Sequence, residues 1–299
     1  MGPSWGIDIR GQHIEGVVLE DPGSPRVLRR LRVPTEVDRG YYHVLGQVHK
    51  LVEVLSADVG MRADRVGLAI PGHLDPITKT LKHSGLEAFD GKPLPTDLQT
   101  YLGLEVKLQG GARCMTLAEC RFGSVTEQMP GAKAVLGVQL GEHVEGAIVI
   151  NGRILNGRQG IAGSIGHTFL DPKGGPCWCG KHGCVDTLLS AGAIEQHYHM
   201  LNGRERTIEA IFSGSAGPRP DLDALREHIV YNLAKALGPA ISLLDPDCVV
   251  LAGLPVDDKV VMQQLPEVLK RFVSNTRLDT LILQPKLGSQ SVAIGAALL

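Results

Sequence analysis

Aromatic residues are scarce in this 299-residue chain: two Trp, five Tyr and five Phe, 4% of the whole. So few rings give little from which to build the base-stacking platforms of single-strand nucleic-acid binders. An excess of one charge is missing too. Thirty Lys and Arg against 32 Asp and Glu leave a formal net charge of −2, so no basic field exists to attract a phosphate backbone. No apolar run approaches the ~20 residues that cross a bilayer, and the start lacks the basic-then-apolar pattern of a secretory signal. Cysteines number six, three of them crowded into one short stretch. That usage fits a reducing cytoplasm better than a secreted disulfide framework. The expectation is a cytoplasmic protein without nucleic-acid or membrane partners. With 43% hydrophobic residues, the chain has apolar side chains enough for two domains with their own cores.

What is present begins at Gly166-His167, followed ten residues later by Cys177-Trp178-Cys179-Gly180-Lys181-His182-Gly183-Cys184. Three thiols with a His shortly before them form the donor inventory of a closed tetrahedral zinc site, and four protein donors leave no open position for water. Gly180 and Gly183 let the backbone bend tightly enough for Cys179 and Cys184 to meet at one ion. Cys177 and Cys179 are too close in sequence to pair comfortably as a disulfide. His182 is an alternative fourth ligand to His167, although the turn of the knuckle directs it outward. Cys114, Cys120 and Cys248 read as small core residues.

Apolar patterning gives an α/β chain. Trp5–Ile9 and Ile14–Leu19 are short apolar or alternating runs around Arg10-Gly11-Gln12-His13, a β-hairpin pattern. Residues 42–55 carry Val44, Leu45, Val48, Leu51, Val52 and Leu55 at helical spacing. Val66–Ile70 reads as a buried strand ended by Pro71-Gly72. A helix over 94–102, a strand over 106–108 and a helix over 116–122 follow. A second cycle has strands at 134–140 and 146–150 ahead of an Asn151-Gly152 hairpin turn. After it come helices over 221–244, within 255–273 and over 290–299, with a strand over 248–251, and a surface loop over 214–220.

The knuckle, with His167 inside Gly163-Ser164-Ile165-Gly166-His167 and Asp186 two residues beyond the last Cys, resembles the zinc signature of ROK proteins (repressors, open reading frames and sugar kinases). The likeness runs nearly end to end. Gly6-Ile7-Asp8-Ile9-Arg10-Gly11 resembles the family's first phosphate loop, Gly67 to Gly72 its proline-glycine turn, 152–163 its hairpin leading into the sugar site, and Ile294 to Ala297 its closing helix. The resemblance implies a two-lobed actin-like ATPase (ribonuclease H-like) fold with a cleft between its lobes. Residues 1–122 would form a smaller lobe to which the terminal helix 288–299 returns, and 123–287 a larger one bearing the knuckle 167–184. It also implies a sugar ligand, ATP-Mg and a homodimer built partly near the zinc.

The chemistry implied by that family is altered at several positions. Phosphoryl transfer needs a carboxylate to take the sugar hydroxyl's proton. In ROK kinases it is the Asp of an Asn-Asp pair between a strand and a helix; here Gly110 and Gly111 stand in those places, and no acid lies between Glu105 and Glu119. The second phosphate hairpin, normally glycine-rich, is Gly141-Glu142-His143-Val144-Glu145-Gly146, whose carboxylates repel a triphosphate. The first hairpin's Gly-Gly-Thr is Arg10-Gly11-Gln12, while the acid Asp8 is kept. The adenosine-side turn is thinned to Ala252-Gly253-Leu254. In the sugar site the Glu before the zinc His is Ser164 and the acid after the last Cys is Asp186, whereas His167 survives; capping a turn or helix is an equal reading of Ser164 and Asp186.

These departures point one way. The expectation is a catalytically silent relative that keeps scaffold, structural zinc and a ligand-responsive cleft in a sugar-binding or regulatory role, with ATP-Mg disfavoured by these departures, and with Arg10 and Glu142 paired across the emptied phosphate site. The alternative is an active ATP-dependent hexose or N-acylhexosamine kinase, glucokinase-like, using Asp8 or Asp186 as its acid. The family's repressors carry a winged helix-turn-helix ahead of the first sheet; here the first strand begins at Trp5, so direct DNA binding is not expected.

Overall fold

A computed structural model describes residues 2–213, 219–275 and 277–299. The chain runs β1 (Ser4–Ile9), β2 (His13–Leu19), β3 (Val27–Pro34), α1 (Tyr41–Val59), β4 (Arg65–Ile70), β5 (His73–Leu74), β6 (Leu81–Lys82), α2 (Leu94–Leu102), β7 (Glu105–Gly110), α3 (Gly111–Phe122) and α4 (Ser124–Gln128). It continues through β8 (Ala134–Leu140), β9 (Val144–Ile150), β10 (Arg153–Ile154), α5 (Asp186–Leu189), α6 (Ala191–Asn202), α7 (Ile208–Phe212), α8 (Pro220–Leu244), β11 (Cys248–Ala252), α9 (Leu254–Asp257), α10 (Lys259–Leu269), β12 (Leu281–Leu283) and α11 (Ser291–Ala297). Two compact units result: one of Met1–Glu127, Gly152–Ala162 and Lys286–Leu299, the other of Gln128–Asn151 and Gly163–Pro285. No helix among the described residues is long and apolar enough to cross a membrane.

In the first unit the sheet order is β3-β2-β1-β4-β7. The first three strands are antiparallel neighbours, and β4 and β7 add in parallel. One face of α1, with Val44, Leu45, Val48, Leu51 and Leu55, is buried against it, and Gly60 ends the helix in the left-handed region. The opposite face receives α11. Side chains at Gly6 and Gly67 would collide with the carbonyls of Ala293 and Ala296, so glycine there lets the helix lie directly on the strands. Residues 152–162, placed by sequence in the second lobe, cluster with this unit instead. The reason is local: Arg113 of α3 donates to the Gly160 and Ala162 carbonyls.

The second unit repeats the plan. β8 and β9 form an antiparallel hairpin, and β11 and β12 extend it in parallel. Leu225, Ile229, Leu233 and Leu237 of α8 fill the core with Val249, Leu251, Val261 and Leu265. α8 opens at Pro220 with Asp221 and Asp223 in its first turn, which suits the helix dipole, and stops where Asp245 turns left-handed before Pro246. The loop expected over 214–220 lies, as far as residue 218, outside the described residues. The helix expected within 255–273 is α10, whose start is capped by Asp258, accepting from the Val260 and Val261 amides; the short α9 precedes it.

α6 meets α8 through a pair of stacked imidazoles, His197 and His228, with ring centroids 3.7 Å apart. Burial pushes both down in pKa, His228 to about 4, where the His197 ring adds to the effect. The unfolded chain therefore binds protons that the folded chain refuses. The stability from this pair is fully present above the ordinary imidazole value of ~6.5 and is lost as pH falls toward 4. Melting curves between pH 7.5 and 4.5 should show a smaller acid-induced fall in Tm for His197→Gln/His228→Gln than for the wild type.

Candidate functional site

At the end of β7, Gly110 takes an extended conformation and caps α3 without a side-chain bond, so that Gly111 becomes the first helical residue. The helix thus starts five residues before the 116–122 span expected from sequence, and the strand-to-helix bend carries no side chain at all. The flanking acids are occupied elsewhere. Glu105 is exposed, 4.0 Å from the Lys107 ammonium. Glu119 is buried and accepts from the amides of Ser124, Lys286 and Leu287 at 2.8, 3.0 and 2.9 Å. What the bend does present is Arg113, two residues into the helix and only 7% exposed.

The first hairpin is closed by the Arg10 amide donating to the His13 carbonyl. This register sets Asp8 opposite Glu15, and Glu15 opposite Arg32. Arg10 donates from Nε to Asp8 at 2.6 Å. Burial pushes the Asp8 carboxyl up, with Arg10 opposing. Burial works the same way on Glu15, but bonds from Arg30 and Arg32 overcome it and hold that carboxyl low. Gly11 has open room, with Leu86 3.9 Å from where a Cβ would stand, and the Gln12 carbonyl accepts from the Thr35 amide. Sequence reasoning missed Glu15, Arg30 and Arg32, though the hairpin register would have found them.

In the second unit, Gly141 bonds back to the His143 carbonyl to close the β8–β9 turn, leaving Glu142 exposed. His143, expected to be exposed, is half-buried, 3.4 Å from Asp186. Asp186 also accepts from the Val144 amide at 2.6 Å and from the Trp178 indole at 2.9 Å. Burial opposes ionisation of Asp186, yet these bonds keep its carboxyl below the usual range. In turn, Asp186 raises the His143 imidazole. Both oxygens of this acid are engaged within the unit. Ser164 precedes a 3-10 turn, Ile165–His167, without a side-chain cap bond. Gly253, at φ 118, packs where any side chain would strike the Leu140 carbonyl.

The knuckle brings the donor atoms of His167, Cys177, Cys179 and Cys184 within 4.8 Å of one another. Tetrahedral zinc with bonds of about 2.3 Å to sulfur and 2.05 Å to nitrogen separates two sulfurs by about 3.8 Å, and sulfur from nitrogen by about 3.6 Å. Cys179 and Cys184 stand 3.7 Å apart, and Cys177 is 3.6 Å from His167 Nδ1. The donor set and its spacing therefore fit that ion. His182 is exposed and outside the group. Trp178, whose indole edges against the His167 ring at 4.7 Å, covers the knuckle. Cys114 and Cys248 are buried, while Cys120 is half-buried.

Comparison with known proteins adds identity to this geometry. The model of the ROK family matches residues 4–299. An N-acetyl-D-glucosamine kinase of Pasteurella multocida is 30% identical over 307 residues, covering 99% of this chain and 98% of the relative. Among solved structures, a ROK hexokinase from Thermus thermophilus superposes with a TM-score of 0.85 at 26% identity, covering 99% and 97% of the two chains. A ROK family glucokinase from Streptomyces griseus, solved with glucose and AMPPNP, gives 0.82 at 23% identity over 99% and 98%. The fold is the α/β, two-unit fold of ROK sugar-kinase structures, an actin-like ATPase fold.

Proposed function

This chain belongs to the ROK family, and on that footing we propose that it is a catalytically silent homologue of the sugar kinases, acting through binding or regulation in the cytoplasm. The observation that carries this reading is the bare bend at Gly110-Gly111. The nearest acids in sequence are a surface Glu105 and a Glu119 tied to three amides. The two candidate substitutes for the acid are committed as well, Asp8 to Arg10 and Asp186 to three donors. Two further features support it: Arg10 where the first phosphate hairpin has a glycine, and Glu142 and Glu145 on the second. His167, Cys177, Cys179 and Cys184 would hold zinc, whose role is to crosslink the knuckle. A homodimer belongs to the same reading, with exposed Phe169 and Trp178 beside the knuckle as its apolar contacts.

A second reading, an active N-acylhexosamine kinase, is favoured by the 30% identity to a protein of that name along nearly the whole chain. Nucleotide separates the two. At 100 times its Kd a ligand stabilises by about 2.7 kcal/mol, which would raise Tm by several degrees. The silent reading predicts no shift with millimolar Mg-ATP in differential scanning fluorimetry; a clear upward shift would favour the kinase.

A further inference from the structure

Arg113 is the residue that the bare bend offers in place of an acid, and its surroundings assign it a task. The chain over 155–162 is an exposed loop apart from Gly160, which is buried, and the half-buried Ala162. Two left-handed glycines, Gly157 and Gly160, turn it inward, and two amide bonds, from Gly160 to the Gly157 carbonyl and from Ala162 to the Asn156 carbonyl, close it. The guanidinium lies at its centre. It donates to the Gly160 carbonyl at 2.6 Å, the Ala162 carbonyl at 3.1 Å and the Asn156 amide oxygen at 3.2 Å. Gln109, one residue before the bend, donates to the same Asn156 oxygen at 3.0 Å. A loop this polar has no apolar core of its own, so its order comes from a cation built into the chain, with the fixed fork of donors that only arginine supplies.

We propose that Arg113 is the specificity-determining residue of this corner. It folds the 156–162 loop around itself and keeps the loop's acceptors from a neutral polyhydroxy ligand. The inference rests on reading 152–163 as the stretch that leads to sugar in the kinases. Its logic is competitive: an oxygen already accepting from a buried, charged donor gives that bond up for a sugar hydroxyl only at a loss.

Hydrogen–deuterium exchange and ligand-observed NMR with N-acetylglucosamine and glucose test it on the full chain. Arg113→Ala should speed amide exchange in 156–162 by about tenfold or more, with Arg113→Lys in between. Arg113→Asn should gain measurable sugar binding that the wild type lacks. Unchanged loop protection in Arg113→Ala would overturn the proposal. So would sugar binding by the wild type as tight as by Arg113→Asn, or rejection of both sugars by every Arg113 variant that still melts cooperatively. Turnover by the wild type would instead count against the silent reading.

Discussion

Replacing Cys184 with Ser will strip the knuckle of its metal and lower Tm by about 5–10 °C. The sulfur is buried and sits 3.7 Å from Cys179. From Thr168 to Val185 the segment it anchors forms no regular helix or strand: isolated bridges Phe169–Cys184 and Pro176–His182 and turn bonds such as Leu170 to Gly183 and Cys177 to Lys181 join it to itself. Structural zinc supplies about 10–16 kcal/mol to small folded modules at neutral pH. Loss of even a third of that is large against a whole-domain stability of about 5–15 kcal/mol. For chains of 150–250 residues each kcal/mol moves Tm by about 2–4 °C, and less for a longer one. Native mass spectrometry of the wild type should find one zinc per chain, removed by a strong chelator with a matching fall in Tm. A wild type without zinc, together with a Ser variant of unchanged Tm, would show that the cluster is a set of packed thiols.

The second large effect is on rate. A missing general base lowers turnover by about 10²–10⁴-fold, and acidic side chains on a phosphate hairpin weaken nucleotide binding on top of that. In a coupled assay with Mg-ATP and glucose, mannose, N-acetylglucosamine or N-acetylmannosamine, steady-state turnover should lie in the buffer background. Gly111→Asp alone should not restore it, because Arg10, Glu142 and Arg113 still occupy their places. Rescue by that single change would mean that the phosphate and sugar positions had stayed competent.

How far the sequence can be read depends on what each element uses to declare itself. α1 and α8 show their buried stripes in plain helical spacing, and β1, β2 and β8 their apolar runs. β3 escapes a sequence reading because Arg29, Arg30 and Arg32 give it the look of a charged loop; two of those side chains neutralise a buried Glu15 on the next strand, which is a reason visible only once strands are paired. α6 escapes it because its buried face is narrow, Ile194 and Tyr198, although Ser190 before it and Gly203 after it are the cap residues that mark a helix. In the site, the knuckle is legible because three thiols and an imidazole at that spacing match the coordination demands of one tetrahedral ion. Asp186 reads in sequence equally as a sugar contact or a capping acid; its engagement by Val144, Trp178 and His143 depends on two segments meeting in space. Arg113 carries no signal in sequence: one arginine among thirty basic residues, made notable by the loop that wraps it.

The most direct test of the silent corner is end-point phosphorus NMR with protein at stoichiometric concentration, zinc-loaded, incubated with Mg-ATP and each sugar in turn. Slow transfer accumulates under these conditions where a steady-state assay would miss it. The bend at Gly110-Gly111 predicts no sugar phosphate beyond the protein-free control. A sugar-phosphate signal from the wild type that disappears in Asp8→Asn or Asp186→Asn would contradict it, by showing that another carboxylate takes the proton.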